Sequence, residues 1–105
     1  MTHKGGDMYA RVARFTGADQ ESMEKNIAGI RERSASGPPE GVPGKAFTLL
    51  ADKANGTVVA IGFFETEEDM RKGDETLNEM SPPEGSMGSR ASVDLCEVEI
   101  QIQAP

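Results

Sequence analysis

Tryptophan is missing from this chain, and histidine, cysteine and tyrosine occur once each. Each shortage closes off a class of chemistry. A lone cysteine, Cys96, cannot close an intramolecular disulfide. With His3 as the other soft ligand, the two cannot assemble a typical zinc set. Aromatics make up 5% of the 105 residues, so the core must rest on aliphatic and methionine side chains. Basic residues are also in short supply: 11 Lys+Arg stand against 18 Asp+Glu, a formal net charge of −7. That balance argues against nucleic acid or an anionic membrane as partner, because both need a basic face. The longest apolar run, Val58 to Phe64, is far too short to span a bilayer. Met1 to Asp7 carry no apolar stretch of the kind a signal peptide needs, which makes the cytoplasm the expected location. No G-x-G-x-x-G occurs, and Gly44-Lys45 lacks the upstream glycine of a P-loop and leads into a β run. No cofactor is expected on these grounds.

What the chain does have is a clear order of elements. Its length suits one domain, with residues 1–7 expected as a flexible N-terminal tail and 8–105 as the folded unit. Met8 to Phe15 reads as a strand. Thr16-Gly17-Ala18-Asp19 supplies a turn and a helix cap. Met23, Ile27 and Ile30 then fall on one helical stripe, which predicts a helix from Asp19 to about Ser34. Gly37-Pro38-Pro39-Glu40-Gly41 ends it. Two β runs follow, Lys45 to Asp52 and Thr57 to Phe64, joined through Asn55-Gly56, a strong hairpin signal. Thr66 followed by Glu67-Glu68-Asp69 opens a second helix whose stripe is Met70, Gly73, Leu77 and Met80. Pro82-Pro83-Glu84-Gly85 breaks it, and a last strand is expected from about Ser92 to Ile102. Within that strand Val93 and Leu95 have one parity, while Val98, Ile100 and Ile102 have the other. The change predicts a β-bulge near Cys96-Glu97. The order β-α-β-β-α-β specifies an α+β, ferredoxin-like fold: an antiparallel four-stranded sheet with two helices on one face.

Thr57 to Phe64 is apolar on both parities after its first residue, the mark of a strand covered on both sides. With both helices on one face, the other face needs a cover from elsewhere. A second copy, packed sheet to sheet, is the expected partner. Hiding roughly 600 Å² of apolar sheet would be worth about 15 kcal/mol before the costs of association. The alternative is that the last strand or the long loops fold back over that face.

Arg11 is the polar residue that asks for an explanation. It lies mid-strand on the same face as Tyr9 and Phe15. One reading is an ion pair with Glu97 or Glu99 on the neighbouring last strand. The other is a pocket in which Tyr9 and Arg11, with Phe63 and Phe64, hold an anionic or phenolic small molecule. Ala10, Ala13, Ala60 and Gly62 would leave room for it, or would let the helices pack closer. Cys96 is expected to be a buried, inert thiol, since no histidine can reach it. Glu67, Glu68 and Asp69 suit the first turn of a helix better than a metal site.

Met8-Tyr9-Ala10-Arg11-Val12, Ala46-Phe47-Thr48-Leu49-Leu50, Phe63-Phe64-Glu65-Thr66-Glu67-Glu68-Asp69-Met70 and Val93-Asp94-Leu95-Cys96-Glu97-Val98 together resemble the antibiotic-biosynthesis-monooxygenase-like proteins. The resemblance covers most of the chain from residue 8 to residue 102. It implies a dimeric α/β barrel, and a group that includes cofactor-independent oxygenases of polycyclic aromatics, haem-degrading enzymes and members without established activity. Where such proteins commonly carry tryptophan this chain has Phe64. The second helix has no histidine, so the Asn, Trp and His set of the haem-degrading branch cannot be assembled. Two functions remain open: a non-catalytic homodimer that binds a small molecule or another protein, or an oxygenase-like enzyme acting on an aromatic or quinone-type compound.

Overall fold

Residues 8–35, 37, 41–79 and 89–102 are described by a computed structural model. The expected order holds: β1 (Tyr9–Thr16), α1 (Gln20–Ser34), β2 (Ala46–Asp52), β3 (Thr57–Phe64), α2 (Glu67–Glu79) and β4 (Ser89–Glu97). The strands form one antiparallel four-stranded sheet in the order β2-β3-β1-β4. The fold is thus ferredoxin-like.

Local chemistry sets the helix starts. The Asp19 carboxylate accepts from the Ser22 amide at 2.8 Å and from the Ser22 hydroxyl at 2.8 Å, so an otherwise unpaired N–H of the first turn is satisfied. These bonds, the amide first, hold the Asp19 carboxyl below the ordinary carboxylate range. Thr66 does the same for α2, its hydroxyl accepting from the Asp69 amide at 3.0 Å. Between β2 and β3 the chain turns at Gly56, whose φ of +68° favours glycine. A Cβ at this position would lie 2.5 Å from the Ala18 carbonyl oxygen, so the hairpin presses directly on the entry to α1.

Both helices lie on one face, and the register says which. Phe15 and Val58 are partners across β1 and β3, and both join Met23 of α1 in one apolar cluster. Tyr9 and Phe64 are partners at the other end, and both join Met70 and Leu77 of α2 in a second. The helix-covered face therefore carries Tyr9, Arg11, Ala13 and Phe15 from β1, and Val58, Ala60, Gly62 and Phe64 from β3. Ala10, Val12 and Arg14, with Val59, Ile61 and Phe63, point the other way. Leu50 of β2 pairs with Val59 and extends that open face, where it is half exposed.

The last strand departs from expectation in position and in shape. It begins at Ser89 and ends at Glu97. No bulge occurs at Cys96-Glu97, where pairing with Ala10 and Tyr9 is regular. The register instead shifts where Arg14 opposes Ser92 and Phe15 opposes Arg90, leaving Ala91 as the extra residue. The parity change has a different cause. Val93 and Leu95 oppose Ala13 and Arg11 and so belong to the helix side, whereas the Val98 amide donates to Met8 at 2.9 Å and continues the same register toward the open side. Ile100 and Ile102, on the parity of Val98, are 78% and 85% exposed. Two parts of one segment thus use opposite faces without any break in alternation. The expected tail at residues 1–7, Met80, Pro38-Pro39-Glu40 and Pro82-Pro83-Glu84-Gly85 lie outside the described residues; Gly37 and Gly41, on either side of the first of these breaks, have positive φ.

Candidate functional site

The four pocket candidates separate on the sheet. Tyr9, Arg11 and Phe64 share the helix-covered face, and Phe63 is on the open one. Phe64 is 1% exposed. Its ring sits so close beneath α2 that a Cβ on Gly73 would fall 2.7 Å from Cε1. Val42 and Met70 complete the packing, with Tyr9 against it. At this end of the sheet the small residue at position 73 lets the helix approach the ring, and the volume between them is filled with side chains.

Arg11 is buried, and its partner differs from the one expected. Glu97 opposes Tyr9 in the register and Leu95 opposes Arg11. The guanidinium turns up toward α2, where Nε donates to Asp74 Oδ1 at 2.7 Å and a terminal nitrogen donates to Asn78 Oδ1 at 3.2 Å. Arg90 of β4 donates to the same Asn78 oxygen. Asp74 and Asn78 went unnoticed in the sequence, although a signal existed. They are spaced i, i+4 and flank the Met70, Gly73, Leu77 stripe, so one inner flank of α2 is polar and must meet a donor.

Cys96 lies on the open face opposite Ala10 and is exposed in the single chain, contrary to the expected burial. Also on the open side, Arg14, Leu50, Asp52, Asn55, Thr57 and Val59 line a shallow depression of about 450 Å³. The Asp52 carboxylate there accepts from the Asn55 side-chain Nδ2 at 2.7 Å. Among the described residues no group of three or more His, Cys, Asp or Glu side chains is placed to hold a metal ion, and no helix is long and apolar enough to cross a membrane.

This sheet order, with both described helices on one face and an apolar face turned away from them, is also found in a known structure. The crystal structure of SnoaB, a cofactor-independent oxygenase from Streptomyces nogalater, superposes with a TM-score of 0.50 over 94% of this chain and 98% of that one. The two chains share a fold. Their sequences are 19% identical, so the likeness to SnoaB is one of architecture. It agrees with the ferredoxin-like order of the single chain. No protein-family model matches the chain, and no curated protein matches it in sequence.

Proposed function

We propose that this protein is a non-catalytic homodimeric module of the dimeric α/β-barrel type, whose pairing surface is the open face of its sheet. One observation carries the reading. Val12, Val59, Ile61 and Phe63 form a contiguous apolar centre on the face turned away from α1 and α2, with Leu50 half exposed beside them. A sheet face of this composition gains most by losing its water to a matching surface, and a twofold pair offers one from the same sequence. The opposite face is already occupied by its own helices. Phe64 fills the space a ligand would need under α2, and Arg11 is taken up by Asp74 and Asn78.

Light scattering at micromolar concentration tests the pairing: twice the 11.2 kDa chain mass is expected, and the single-chain mass would overturn it. Cys96 gives a second readout. Its thiol should react slowly with a bulky thiol reagent in the native protein and quickly once the pair is dissociated by dilution.

The likeness to SnoaB favours a second reading, an oxygenase-like enzyme acting on an aromatic or quinone-type small molecule. Catalysis would rest on positioning and on exclusion of water, with Tyr9 and Arg11 as polar contacts and Phe64 as the apolar one, Phe63 being on the other face. It requires Phe64 or α2 to move aside. A thermal-shift screen with quinones and haem finds candidate ligands, and oxygen uptake with hydroxylated polycyclic aromatics separates the two. Uptake above the buffer rate would replace the first reading with the second.

A further inference from the structure

In a chain with a formal net charge of −7, two arginines meet at one neutral oxygen. Arg11 of β1 and Arg90 of β4 both donate to Asn78 Oδ1. Two nitrogens within hydrogen-bond length of the same atom lie on the order of 6 Å apart or less. Like charges at that distance repel. Asp74 is the one carboxylate that meets either guanidinium among the described residues, and it binds Arg11. The Asp74 carboxylate offsets one positive charge of the two. The amide of Asn78 is an acceptor without charge and offsets none.

The surroundings are lopsided in polarity. Arg11 is buried, while Asn78 and Arg90 are exposed, so the cluster opens to solvent along the flank of α2 that faces β4. On the same face of β4, Val93 is part-buried and Leu95 is 37% exposed, giving an apolar shelf beside the cations. Glu97, the acidic residue on that face, lies beyond Leu95, opposite Tyr9. Cations at one end and aliphatic side chains at the other suit a ligand of matching polarity.

We propose that Arg90 and Arg11, on the Asn78 side of α2, form a binding site for a small organic carboxylate, with its apolar body against Leu95 and Val93. A carboxylate accepts two N–H groups at once from a guanidinium, which a point-charge donor does not match. Arg90 would bind it directly, and Arg11 would add charge from below while remaining on Asp74. The site lies on the helix side, away from the proposed pairing face, and does not depend on that pairing.

Benzoate is the probe, titrated by calorimetry and by thermal melting, with sodium chloride replacing it at equal ionic strength in the control. Benzoate is expected to bind and to raise the melting temperature above the chloride control. Arg90→Ala should weaken binding at least tenfold, whereas Arg71→Ala, which removes an exposed arginine paired with Glu67 elsewhere on α2, should leave it unchanged. Asn78→Asp gives the sharper test. A built-in carboxylate should raise the melting temperature without benzoate and abolish the response to it. No binding by the unaltered protein, or equal binding by Arg90→Ala, overturns the site. A benzoate response retained in Asn78→Asp does so as well.

Discussion

The two faces of this sheet draw on similar aliphatic and aromatic residues and meet very different surroundings. On the helix side Phe64, Val58 and Met23 are almost wholly shielded, and a glycine is needed at position 73 for α2 to fit. On the open side Val59, Ile61 and Phe63 are flanked by Leu50, Thr48 and Ala46 of an edge strand, and neither described helix lies above them. Neighbouring residues, Phe63 and Phe64, therefore do different work. Composition does not distinguish them; the parity of the strand and the side to which the crossovers run do.

The largest effect should come from the filled face. Phe64→Ala removes a ring in contact with Val42, Met70 and the Gly73 backbone, and should cost about 3–5 kcal/mol in a urea titration. A loss below about 1 kcal/mol would mean that α2 is loosely seated and that the helix side is less filled than its contacts indicate. Ile61→Lys tests the open face. Two lysine ammoniums brought into the apolar centre of a symmetric pair should weaken association by about 3 kcal/mol or more, over a hundredfold. The altered protein should scatter as a single chain at micromolar concentration while its far-ultraviolet dichroism is kept; an unchanged dimer mass would put the interface elsewhere.

Arg11→Met should be smaller in effect. The lost ion pair is buried on the arginine side, but the Asp74 side chain keeps 22% of its exposure, so water partly compensates. A cost of about 2 kcal/mol is expected, measured by thermal melting. Asp74→Asn in the same background should then cost little more, as partners in one interaction are not additive. The smallest effect concerns Asp19. Its folded carboxyl is lowered by the Ser22 bonds, so its contribution is present above the unfolded value and is lost as pH falls through the lowered folded one. Wild type should lose slightly more stability than Asp19→Asn as pH drops below about 4; parallel pH curves for the two would remove Asp19 from the acid response.

Most of the architecture was legible because local signals agreed. Asp19 and Thr66 mark helix starts, Asn55-Gly56 marks the hairpin, and the doubly apolar Val58 to Phe64 marks the central strand. The site was less legible. The sequence marks Arg11 as a mid-strand polar residue, and its partner lies 63 positions away on a helix whose rotation local spacing does not give. Nearest-strand pairing points to Glu97 or Glu99, and the helix overhead supplies Asp74 instead. The irregularity at Ala91 falls among Ser89, Arg90, Ala91 and Ser92, where no hydrophobic alternation exists to reveal it. The parity change at Cys96-Glu97 was real as a pattern but came from a change in what each face meets, which alternation alone cannot tell from a bulge.

Gly73 and Phe64 have a consequence for how this chain can vary. With the ring 2.7 Å from where a Cβ at position 73 would lie, a methyl gained there has to be matched by volume lost at position 64. Gly73→Ala should be poorly tolerated alone and rescued by Phe64→Leu. The two positions behave as one unit of volume, divided between a strand and the helix that follows it.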